Sequence, residues 1–261
     1  PIAVKNFLMF IFRQAVIIIG AFVAGLAVFF IGSGGHLGAL IGLGALVITA
    51  LTAPRLIVGP TVALSESFQI FSPHLAMLIS AWLTALFLPS GATRTLLAIA
   101  VIAVSYLYSN SVFRYFHFAH RYSPSSLSRM AGGLLLFSLF AVASVAHGAR
   151  LLFHVPLVLL LTAAFCCFAL ILYIWALTKE LPLDSAKWYC LTGALVLTEI
   201  EFAALLLPFS YFMGGAILSV GGYVILRSVS ADQVIAERSL PRLGFIAIVV
   251  MLFLLAFADW R

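Results

Sequence analysis

Apolar positions along this chain neither alternate nor keep to one helical face. They run in long blocks separated by short polar, Pro or Gly punctuation. Several blocks reach the ~18–20 residues that cross a ~30 Å hydrocarbon core, which predicts membrane-spanning α-helices. Nine spans are expected, at roughly 14–32, 36–53, 74–89, 93–110, 130–147, 154–177, 187–207, 210–227 and 243–260. A β-barrel is excluded, because its strands would alternate in polarity. The opening "KNFLMFIFRQ" reads either as an interfacial helix or as the beginning of the first span. That helix is expected to be retained, since its apolar run is too long for a signal peptide and no small-residue cleavage site follows it. Residues 54–73, bracketed by prolines, mix apolar positions with Ser65, Glu66, Ser67 and Gln69. They predict an amphipathic helix on the cytoplasmic face, with a re-entrant loop as the alternative.

Composition agrees with the pattern. Of 261 residues, 64% are hydrophobic and 8% charged, against about 25% charged in a soluble domain. The fold class is therefore all-α, a polytopic helical membrane protein forming a single integral membrane domain over residues 1–261. Short connections leave no room for a soluble catalytic module. The net charge of +6 is spread among loops, so it points to anionic lipid headgroups and not to nucleic acid. With nine spans and an inner N-terminus, Lys5, Arg13, Arg55, Arg114, Arg121, Arg129, Lys179, Lys187, Arg227, Arg238 and Arg242 fall on the cytoplasmic side. Arg94, Arg150 and Arg261 fall outside. That asymmetry places the N-terminus in the cytoplasm and the C-terminus outside a cell membrane. Cys166, Cys167 and Cys190 lie in or beside spans without CxxC spacing, which indicates packing.

A second periodicity suggests duplication. His36 and His154 each open a span, "TALFLPSGA" (84–92) pairs with "AALLLPFSY" (203–211), and "SLSRMAGGLLLFSLF" (126–140) pairs with "SLPRLGFIAIVVMLF" (239–253). The matches come in the same order, so spans two to five correspond to six to nine. The expected repeats are parallel, 36–149 and 154–261, with 14–32 as an extra N-terminal helix.

Candidate chemistry centres on Glu199 and Glu201, two carboxylates inside an apolar span. Ionisable groups at that depth face a bundle interior or a wet cavity. Two residues along a helix is about 200°, so they cannot form a dyad on one face, and each needs its own partner. Arg94, Arg150 and His147 are the candidate partners. Under the duplication Glu199 and Glu201 correspond to Ser80 and Trp82, so the acids belong to one half. "RYFHFAHRY" (114–122) supplies a second candidate region, Arg114, His117, His120 and Arg121, where basic and aromatic residues suit a cytoplasmic headgroup interface. With His74 these histidines lack an acidic or Cys ligand at a recognised spacing, so neither metal nor other cofactor is called for. Gly38 with Gly42, and the pairs 132–133, 214–215 and 221–222, read as surfaces for close helix packing. Ser65 and Ser67 have no histidine near in sequence to activate a nucleophile.

The stretch "EIEFAALLLPFSYFMGG", with Tyr223 beyond it, resembles uncharacterised multi-pass membrane proteins of reduced-genome bacteria over the last third of the chain. That resemblance implies no activity. The final span has no lysine for a retinal Schiff base, and Ile200 separates the two acids that a membrane CAAX-type protease would keep adjacent. The favoured expectation is a transporter or channel moving a small solute or ion. The alternatives are a non-catalytic assembly subunit, in a homo-oligomer or with another membrane protein, and then a lipid-active enzyme.

Overall fold

The computed structural model describes residues 2–32, 35–59, 62–88, 91–118, 124–207, 210–228, 244–252 and 254. It is all-helical, with no strand among the described residues. The elements are α1 (Ile2–Phe29) with a 3-10 turn (Phe30–Gly32), α2 (Gly35–Val58), α3 (Leu64–Phe87), α4 (Gly91–His117), α5 (Pro124–Phe153), α6 (Leu157–Thr178), α7 (Leu183–Leu206) and α8 (Tyr211–Ser228). Residues 244–252 are helical as well.

Among the described residues, seven helices, α1 to α7, are long and apolar enough to cross a membrane. The expectation of nine is narrowed at its C-terminal end. The 18 residues of α8 include Gly214, Gly215, Gly221 and Gly222 and close on Arg227 and Ser228, which dilutes its apolar content. Much of 243–260 lies outside the described residues.

Most described residues of 54–73 belong to the two flanking helices rather than to a separate amphipathic helix. α2 continues through Pro54 to Val58, and α3 begins at Leu64 and passes through Pro73. A proline inside a helix removes one backbone bond and strains the preceding turn. Here Ser72 Oγ donates to the Gln69 carbonyl at 3.0 Å, and Tyr108 Oη donates to the Ile70 carbonyl at 2.5 Å. Those carbonyls are satisfied from within the bundle, so the helix persists.

The chain packs as two units, Pro1–Ala131 and Gly132–Arg261. In the first, α1 packs against α2 and α4 through glycines. A Cβ on Gly42 would stand 2.8 Å from the Ala27 carbonyl oxygen, closer than real Cβ contacts. His74 stacks on Tyr108 and is bonded to Ser105 Oγ at 3.0 Å. In the second unit Trp175 of α6 lies against Gly132 of α5 and donates its indole N–H to the Leu226 carbonyl of α8 at 2.9 Å. Tyr189 of α7 donates to the neighbouring Ile225 carbonyl at 3.0 Å. Small residues let these backbones approach, and side-chain donors pin the end of α8, as van der Waals packing and hydrogen bonding require in lipid.

The end of α6 carries a testable strain. The N–H groups of Glu180 and Leu181 bond the carbonyls of Leu177 and Ala176, the double bond of a Schellman cap. Glu180 sits there at φ 54°, a left-handed position that suits glycine. Glu180→Gly is expected to stabilise the protein by roughly 0.5–1 kcal/mol, read as a higher melting temperature in detergent.

Candidate functional site: a buried histidine–glutamate pair

Helix α7 turns a small-residue face inward: Ala186, Cys190, Gly193, Ala194, Leu197 and Ala204 are buried along it. Glu201 falls on the same face and is fully buried, whereas Glu199 is exposed. The 200° offset thus separates the two acids into different surroundings.

Opposite Glu201 stands His147 of α5, with its Nδ1 3.2 Å from Glu201 Oε1 and only 3% of its side chain exposed. Nδ1 also lies 3.2 Å from the Ala143 carbonyl oxygen. Two acceptors meet at this nitrogen, so Nδ1 carries the hydrogen; the Ala143 carbonyl oxygen accepts it, and Glu201 Oε1 is in ionic contact only. The pair sits about 8 Å from the end of α7 at Leu206, and a similar distance from the end of α5 at Phe153.

Its surroundings are unusually poor in hydrogen bonds. Among the described residues, His147 Nε2, Glu201 Oε2 and Ser144 Oγ are buried without a hydrogen-bond partner, although the Ala204 backbone lies near the ring. Oε1 has only the ionic contact with Nδ1. A buried polar group left in that condition costs about 1–3 kcal/mol, so these atoms need a reason to be there.

Helix α8 closes the site with its glycines. The space a Cβ on Gly214 would need is taken by the His147 ring, with Nε2 at 2.6 Å. At Gly215 it is taken by Ser144 Oγ and, at 2.7 Å, by the Phe140 carbonyl oxygen. Ser144 and these glycines form the wall of the site. Sequence spacing marked Gly214 and Gly215 as packing surfaces, and Ser144 shares a helix face with His147 one turn earlier.

The other candidate residues lie elsewhere. Arg94 donates from Nη2 to the Leu88 carbonyl at 2.9 Å, closing the end of α3. Arg150 stands one turn beyond His147, and its Nη1 is buried without a hydrogen-bond partner among the described residues. His117 donates from Nδ1 to the Phe113 carbonyl at 3.0 Å and receives Arg13 at Nε2, while Arg114 is exposed. His120 and Arg121 lie outside the described residues. No group of three potential metal ligands occurs among the described residues.

No family model matches this chain, and no curated protein or solved structure matches it either.

What the pair can do follows from charge. A net charge in a low-dielectric interior is costly, so the stable states are the two neutral ones. In one, imidazolium faces carboxylate; in the other, neutral imidazole faces carboxylic acid. Both hold the same number of protons. Losing one leaves the site at −1, a condition best met by an arriving cation.

Proposed function

We propose that this chain is an integral membrane transporter in which the His147–Glu201 pair exchanges a proton for a small cation or for a solute that carries positive charge. The observation that carries this reading is the enclosed pair whose Nε2 and Oε2 have no hydrogen-bond partner among the described residues, flanked by helices whose contact is glycine on side chain. Glu201 is fully buried. Access to it is by movement of α8 across α5. Reconstituted into vesicles, the wild type is expected to dissipate an imposed proton gradient when a permeant monovalent cation is supplied on the opposite side. Glu201→Gln should lower that flux by at least about tenfold, a factor equal to ~1.4 kcal/mol. Glu199→Gln should leave it intact. Undiminished flux in Glu201→Gln would refute the proposal.

The reading includes a cell-membrane location, a nine-pass topology with the N-terminus inside, and the duplication. Several correspondences support the duplication. α3 and α7 both have 24 residues, and Leu64 and Leu183, which start them, are 119 residues apart. Their buried residues match at the same offset, Phe71 with Cys190, Leu78 with Leu197 and Ala85 with Ala204. At that offset Glu201 corresponds to Trp82. The buried acid is then an addition to one half, as a transport site on a repeated scaffold would be, with its histidine partner supplied by the other half.

Glu199 favours a second reading, that of an assembly subunit. It lies among exposed apolar residues on α7, with Trp188, Leu195, Phe202 and Leu206 at helical spacing. A carboxyl exposed within a span is costly in lipid, and a membrane-protein partner that hydrogen-bonds it relieves that cost. Loss of oligomers in Glu199→Leu, with flux never present in the wild type, would favour this alternative.

A further inference from the structure

Polar groups also collect in the first unit, where α1 meets α4. A groove of about 420 Å³ is lined there by the aromatic residues Phe10, Tyr106, Phe113 and Phe118 together with Gln14, Asn110 and Arg114. Its walls are braced: Phe10 meets Phe113 edge-on with centroids 5.7 Å apart, and Phe113 stacks on His117 at 4.5 Å. Arg13, next to Gln14, is engaged with His117. The side chains of Arg114, Asn110 and Gln14 make no hydrogen bond or ion pair among the described residues, so three polar side chains line one groove uncommitted.

Their order along α4 is informative. Arg114 lies about 4.5 Å from the helix end at His117, Asn110 is about 6 Å deeper, and Tyr106 about 6 Å deeper again. The contact of Phe10 with Phe113 sets α1 against α4 so that Gln14 comes beside Asn110 in the groove lining. Charge is therefore nearest the helix end, flanked by Phe10, Phe113 and Phe118; the amides come next, and the Tyr106 ring comes deepest. A glycerophospholipid has the same sequence of chemistry: an anionic phosphate, then glycerol and ester oxygens, then an acyl chain.

We propose that this groove binds one anionic glycerophospholipid. Arg114 pairs with the phosphate between the Phe10 and Phe113 rings, the Gln14 and Asn110 amides donate to the glycerol and ester oxygens, and Tyr106 covers the first part of a chain. Guanidinium suits phosphate because its fork of N–H groups matches two oxygens. A free phosphate would use Arg114 and leave the amides and the aromatic floor without a role. The site shares no residue with the His147–Glu201 pair, and its binding does not depend on transport.

The test uses the full chain in detergent, with bound lipid counted by native mass spectrometry and with thermal melts. The probes are phosphatidylglycerol, phosphatidylcholine with the same chains, and glycerol 1-phosphate as the chainless headgroup. Phosphatidylglycerol is expected to bind about five- to tenfold more tightly than phosphatidylcholine, the contribution of one basic residue at a membrane surface. Arg114→Gln should erase that preference, Asn110→Leu should weaken both lipids, and Arg129→Gln should change neither. A preference undiminished in Arg114→Gln would overturn the site. Glycerol 1-phosphate competing as well as the lipid would overturn the lipid assignment. Should Arg114→Gln fail to fold, undiminished lipid binding in Asn110→Leu would overturn the proposal equally.

Discussion

His147→Leu is expected to destabilise the protein by about 3–5 kcal/mol, the largest effect of any single substitution here. It strands Glu201, which is fully buried and has its one short polar contact with His147 among the described residues. Removing one member of a buried pair leaves a group in apolar surroundings with nothing to offset its desolvation. Glu201→Leu should cost less, about 1–3 kcal/mol, because a neutral imidazole keeps the Ala143 carbonyl as acceptor. Removing both is expected to recover most of the loss, since two apolar side chains leave no orphaned charge. Equilibrium unfolding in mixed micelles, run as a double-mutant cycle, should give a coupling above about 2 kcal/mol, larger than hydrogen bonds between membrane helices average. Additive single losses would mean that the two side chains do not act as a unit.

Gly215→Ala is expected to cost about 1–3 kcal/mol and to slow transport. Its Cβ would stand 2.7 Å from the Phe140 carbonyl oxygen, a backbone atom that cannot swing away, so α8 has to withdraw from α5. Gly214→Ala meets the His147 ring instead, and a ring pushed aside moves Nδ1 away from both Ala143 and Glu201. Gly44→Ala and Gly133→Ala are the controls, since nothing lies within 4 Å of a Cβ at either position. Thermal melts of the four variants test this ranking. Equal melting temperatures for all four would remove the glycine contact from the account.

How much of this could be read in advance depends on the kind of information. Block length and composition made the helical membrane class legible, because crossing lipid leaves few choices of sequence. Residues 54–73 misled because proline and scattered serines read as a surface segment, while their hydrogen-bond needs are met by Ser72 and by Tyr108 of another helix. Periodicity separated Glu199 from Glu201 but did not say which one faces inward. The small residues Ala186, Gly193, Ala194 and Ala204 mark the inner face, and they share it with Glu201. His147 was one of three basic candidates by position alone. Choosing it required knowing that α8 presents glycines where the ring sits, a tertiary fact with no local signature.

The most direct test of the central claim is pH-dependent infrared difference spectroscopy of the protein in lipid between about pH 5 and pH 9, the range in which histidine-linked exchange is expected. A proton-exchanging pair predicts a carboxylic-acid carbonyl band that changes with pH, vanishes in Glu201→Gln, shifts in His147→Leu and persists in Glu199→Gln. A spectrum with no such band from Glu201 at any pH would mean a permanently ionised structural pair, and would contradict the account.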